Sequence, residues 1–240
     1  MQPMDASDVQ EEARRRSFPI VAVGASAGGL APTVEVTREL GAEPGIAIVV
    51  IHHLDPTHES GLVEILSRAT AMPVAAAMDG VPVEANHVYV VPPNAGLLVS
   101  QGVLKVVPRL EEGAQHLPIN RFFKSLALDR EGLAVGVVLS GSGSDGSEGI
   151  QAIKTEGGIT LVQDATASFG SMPQSAIATG CVDFILPPAA IGRELVRIGA
   201  HAPSLVALPP QGFEQREYLP ILAVMPSNTR WSPSWSDSGT

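Results

Sequence analysis

The sequence is short of cysteine, of aromatic side chains, of positive charge and of long apolar runs, and each shortage excludes something. A single cysteine, Cys181, leaves no partner for an internal disulfide and no Cys-rich metal site. In the apolar stretch CVDFILPP it reads as a small hydrophobe rather than a reactive thiol. Aromatic residues make up 4% of the chain against a 45% hydrophobic share, which points to an Ala/Val/Gly-rich core. Fifteen Lys and Arg against 25 Asp and Glu give a formal charge of −10, the wrong sign for a nucleic-acid partner. The one basic run, Arg14 to Arg16, lies in a polar leader. No apolar run reaches the roughly 18 residues that a membrane-spanning helix needs. The first residues, MQPMDASDVQEEARRRSFP, lack the apolar segment of a secretory signal. These features predict a cytoplasmic protein with no membrane insertion.

What is present falls into three zones: a polar leader over residues 1–18, a globular body over 19–200, and a Pro/Ser-rich tail over 201–240 that ends SNTRWSPSWSDSGT. In the body, IVAVG (20–24) and IAIVVIHH (46–53) are continuous β-branched runs, as expected of strands buried on both faces. GGLAPTVEVTRELG between them has helical spacing and stops at Gly41. A second helix is expected from His58 to Arg68. HVYVVPP reads as a strand, and LLVSQGVLKVV as a hairpin turning at Gln101-Gly102. LPINRFFKSLALDR reads as a helix with Asn120 as a possible cap. Strand AVGVVLS, helix SEGIQAIKTEGG, strand ITLVQD, helix MPQSAIATG, strand CVDFILPP and helix PAAIGRELVRIG follow. The alternation predicts an α/β fold: a doubly wound, mostly parallel sheet with helices on both faces, plus a small antiparallel hairpin.

Ligand sites in such sheets form beyond the carboxyl ends of the strands, and three loops there carry chemistry. Gly24-Ala25-Ser26-Ala27-Gly28-Gly29 matches G-x-S-x-G, a turn that can present a serine oxygen above the sheet or be simply a tight turn. The helix that follows would aim N–H groups and a positive dipole end at the same point. His52 and His53 close the second strand; neighbouring strand residues face opposite ways, so only one can turn toward Ser26. In Ser140-Gly141-Ser142-Gly143-Ser144-Asp145-Gly146, Asp145 can cap the helix that starts near Ser147, orient a histidine, or do both. Asp164 ends a strand and reads equally as a site residue or a turn former.

Together the three loops resemble the catalytic domain of the protein-glutamate methylesterases of bacterial chemotaxis, the CheB family. The resemblance runs from about Phe18 to Leu195 and rests on IVAVGASAGGL, VVIHHLDPTHES and VGVVLSGSGSDG, with DGVPVEANHVYVVPPN, HLPINRFFKSLA and FGSMPQSAIATG between and after them. It implies a catalytic triad of Ser26 as nucleophile, His53 as base and Asp145 as orienting acid, with backbone N–H groups at Ala27 and Ser142 as oxyanion donors. It implies hydrolysis of glutamate γ-methyl esters and deamidation of glutamines on methyl-accepting chemoreceptor-type proteins, a methyltransferase as a further partner, and no metal or organic cofactor. His52 stands where the family usually has Gln, and Ser142 where many relatives have Met. The leader is too short for the phosphoacceptor receiver domain usual in the family. The expectation is therefore a receiver-less form, like that of methylesterase/methyltransferase hybrids, active without phosphorylation. Two other readings remain at this point. A nucleotide-binding α/β module is disfavoured by G-x-S-x-G-G in place of G-x-G-x-x-G, and a catalytically idle receptor- or kinase-binding domain by the presence of all three triad residues.

Overall fold

The computed structural model describes residues 17–52, 61–108 and 117–206, with side chains to Ala202. Seven strands form one parallel sheet in the order β3-β4-β2-β1-β7-β8-β9. They are β1 (Ile20–Ala25), β2 (Ala47–His52), β3 (Val74–Ala76), β4 (Val88–Val90), β7 (Ala134–Val138), β8 (Ile159–Gln163) and β9 (Phe184–Leu186). The central strands β1 and β7 are buried at every residue, which is why their sequences run apolar without alternation. β5 (Ala95–Ser100) and β6 (Val103–Pro108) form the separate antiparallel hairpin. Its turn falls at Gln101-Gly102, with φ of 52° and 71°, the paired left-handed conformations of a tight hairpin turn.

Helices cover both faces. The core of one face is built by α1 (Leu30–Arg38), α2 (Leu62–Ser67) and α6 (Pro188–Val206), through Val36, Leu66, Ile191 and Leu195 on Val21, Val23, Ile48 and Val50. That of the other is built by α3 (Pro118–Arg130), α4 (Ser147–Thr155) and α5 (Ser171–Ile177), through Phe122, Phe123, Ile150 and Met172 on Ile20, Ala22 and Val138. The hairpin joins this second core through Leu97, Val99 and Leu104. It is pinned to α3 by Val99 N donating to Ser125 Oγ (3.1 Å) and Gly102 N donating to Asp129 Oδ1 (3.2 Å).

The fold is the one expected, with local differences. β3 was not anticipated: its short Val-Ala-Ala edge segment carries too few β-branched residues to signal a strand. Of the helix expected over His58–Arg68, Leu62–Ser67 is observed and 53–60 lies outside the described residues. The last helix continues to Val206, past the point where the sequence turns Pro- and Ser-rich. Asn120 does not cap α3. Leu117 holds that position, because Pro118, which has no N–H to satisfy, fits the first helical turn. All the described residues belong to one compact unit, and the rest of the expected tail lies outside them.

Candidate active site

The sheet order sets the site, because β1 runs between β2 and β7 and all three point the same way. Ala25 pairs with His52 on one side, and Gly24 with Val138 on the other. The loops after β1 and β7 therefore leave the sheet side by side, as the switch-point rule requires. Ser26, half-buried, donates its N–H to Ser140 O at 3.0 Å. Gly29 N donates to Ser26 O at 2.9 Å and Gly28 has φ of 67°, so the chain turns back sharply into α1. Gly141 lies directly against the serine. A Cβ there would fall 3.0 Å from Ser26 Cβ and 2.7 Å from Met172 Sδ, so only glycine brings the β7 loop this close.

Ser140 is the rivet of this corner. Its N–H donates to Gln163 Oε1 (2.9 Å) and its hydroxyl to Ala27 O (2.9 Å), while the same hydroxyl accepts from Phe169 N (3.0 Å). Three loops, after β1, β7 and β8, are thereby held as one unit. A serine among glycines and serines gives no sequence signal of its own; the fully buried position of Ser140 does.

Asp145 is 2% exposed. Its Oδ2 accepts from Ile119 N (3.0 Å), and its Oδ1 from Asn120 N (2.8 Å) and Gly146 N (2.9 Å). The sequence left open a cap on the helix starting at Ser147, and the structure corrects it. Gly146 is the N-cap of α4, and the carboxylate of Asp145 caps α3 instead, across the sheet face. The open N–H groups and positive dipole end of α3 thus meet a buried negative charge. Asn120 does the reverse, its Oδ1 accepting from Gly146 N and Gly149 N at the start of α4, both at 2.9 Å. Nothing in the local spacing could have revealed this exchange, because the partners lie 25 to 29 residues apart.

Along β2, Ile48 and Val50 belong to the α1 core, whereas Ala47, Val49 and Ile51 belong to the α3 core. His52 continues the first set. It shares with Ser26 a cavity of about 990 Å³ that runs along α1 past Val34, Glu35 and Arg38 to Ile65 of α2. His53 lies outside the described residues. Ala27 is half-buried in the serine turn and Ser142 is exposed in the β7 loop. Asp164 is a turn former: its Oδ1 accepts from Thr166 N (3.1 Å) and Thr166 Oγ1 (2.6 Å).

These features define a doubly wound α/β domain in which a serine turn and a loop carrying a buried carboxylate leave neighbouring strands together. Residues 21–195 match the family described as CheB methylesterase. The chain is 35% identical over 182 residues to protein-glutamate methylesterase/protein-glutamine glutaminase 2 of Burkholderia pseudomallei (strain 1710b), covering 75% of this chain and 53% of that protein. It is 37% identical over 179 residues to protein-glutamate methylesterase/protein-glutamine glutaminase 3 of Burkholderia orbicola (strain AU 1054), covering 74% and 53%. The crystal structure of the Thermotoga maritima CheB methylesterase catalytic domain superposes with a TM-score of 0.69 at 26% identity, covering 75% of this chain and 98% of that one. The chain belongs to the CheB methylesterase family, and it spans about half the length of the curated relatives it matches.

Proposed function

We propose that the chain is a serine esterase that hydrolyses glutamate γ-methyl esters on chemoreceptor-type proteins and deamidates selected glutamines there. The observation that carries this reading is the seating of Ser26 against Ser140 and Gly141, in the same loop that ends in the buried, helix-capped carboxylate of Asp145. Ser26 is the nucleophile, His53 the general base and Asp145 the group that fixes the imidazole tautomer. The alternation along β2 supports His53 over His52. His52 lines the cavity on the α1 side, away from the α3 face where Asp145 is held.

In the first step His53 takes the Ser26 proton as Oγ adds to the ester carbonyl, and the oxyanion is met by backbone N–H groups at Ala27 and Ser142. The C–O bond to methoxide breaks as His53 returns the proton, and methanol leaves. Water, deprotonated by His53, then attacks the acyl-enzyme; glutamate leaves as its carboxylate and Ser26 is restored. With glutamine the leaving group is ammonia. No metal or organic cofactor enters these steps. The same reading takes 19–200 as the catalytic unit between leader and tail, working in the cytoplasm in chemotaxis signalling, with a receptor methyltransferase as its functional counterpart. Among the described residues no helix is long and apolar enough to cross a membrane.

The test is methanol release from membranes bearing methylated chemoreceptors. The wild-type chain should release methanol, and Ser26→Ala should lose several orders of magnitude, because triad members act as a unit. Retention of more than about a tenth of the rate would remove Ser26 from the nucleophile's role.

A further inference from the structure

The exchange of caps between α3 and α4 assigns work to a residue outside the proposed triad. Asn120 is 4% exposed, and two backbone N–H groups converge on one atom of its side chain, which makes that atom the amide oxygen. One of the two donors, Gly146 N, is shared: it lies 2.9 Å from Asn120 Oδ1 and 2.9 Å from Asp145 Oδ1. The two oxygens therefore sit close together over one N–H. Asn120 also donates its own N–H to Asp145 Oδ1 at 2.8 Å. A carboxylate and an amide are thus interlocked at the meeting of two helix N-termini, where donors are plentiful and a single negative charge is well served.

We infer that Asn120 is a positioning residue for Asp145: its neutral amide clamps α4 against α3, fixing the carboxylate while adding no second negative charge beside it. This rests on the reading of Asp145 as the group that orients the base. A carboxylate at position 120 would keep an acceptor for both N–H groups while replacing the amide donor and adding a charge. Among the described residues, the other charged groups near this seam have contacts elsewhere. Lys124 of α3 and Glu148 of α4 pair with each other at the exposed rim, and Arg121 leans toward Gly96 of the hairpin.

The experiment follows methanol release from methylated chemoreceptor membranes across pH for the full chain and three variants. Asn120→Asp keeps an acceptor for both N–H groups and should still fold, with a lower melting temperature because a second carboxylate is buried beside Asp145. Its acid limb should move to higher pH by about half a unit or more, since an added negative charge favours the protonated form of its neighbours. Asn120→Ala, which removes the acceptor, should lower kcat about tenfold with KM unchanged, because the orienting group is loosened while substrate contacts stay. Asp145→Asn is the control. If it keeps the wild-type rate, the triad reading fails and this inference with it. If it loses activity while the acid limb of Asn120→Asp stays where the wild type's lies, the triad stands and the inference is overturned. A fall in melting temperature for Asn120→Ala with kcat unchanged would likewise reduce Asn120 to a helix clamp.

Discussion

The two faces of the sheet are equally well packed and differently wired. On the α1 face the buried polar side chains of the helix, Thr33 and Thr37, bond back into their own helix, to Gly29 O (2.7 Å) and Thr33 O (3.1 Å). On the α3 face the buried polar groups tie separate elements together: Asp145 to α3, Asn120 to α4, and Asp129 to the hairpin turn. The first arrangement satisfies donors locally and leaves the helix replaceable as a unit. The second fixes the relative position of elements, which a catalytic centre needs to within a fraction of an ångström. The open volume beside Ser26 lies along α1.

The comparison can be broken by substitutions on either face. Among these packing substitutions the largest effect on turnover is expected from Gly141→Ala. Its methyl would press on Ser26 Cβ and Met172 Sδ, and displacement of the serine should cost about ten- to a hundredfold in methanol release. Gly149→Ala comes next. A Cβ there meets Phe123 Cβ at 2.5 Å, a rigid neighbour, and would wedge α4 off α3. The expected destabilisation is about 1–3 kcal/mol in urea unfolding, accompanied by lower turnover because the same seam holds Asp145. The smallest effect is predicted on the opposite face. Thr33→Val removes one hydroxyl bond, but Gly29 O keeps its bond from Thr33 N at 3.1 Å. Its cost should be about 1 kcal/mol or less, with turnover unchanged. Equal losses of turnover from Gly149→Ala and Thr33→Val would erase the distinction between the faces.

Most of the fold was legible because a buried parallel strand has to be apolar throughout. IVAVG, IAIVVI and AVGVV carry that demand in their letters, and the hairpin turn carries Gly102, which accepts positive φ. β3 was not legible, since an exposed edge strand of three residues carries no such demand. Within the site, Ser26 and Asp145 stood out by motif. The destination of the Asp145 carboxylate did not, because N-capping was read along the chain while the bonds run across the face to α3. Asn120 failed for the same reason in reverse: it lies within one helix and caps another. Local patterns report on the helix that contains a residue, whereas cross-links depend on which helices the sheet order makes neighbours.

The proposed assignment of His53 as the general base is tested most directly at the end of β2, where His52 and His53 are consecutive. Methanol release from methylated chemoreceptor membranes should be measured for His53→Gln and His52→Gln beside the wild type. His53→Gln should fall by orders of magnitude, as loss of a general base does within a triad, and His52→Gln should stay within a few-fold of the wild type. The reverse pattern, an active His53→Gln and a silent His52→Gln, would put the base on the α1 face and contradict the account.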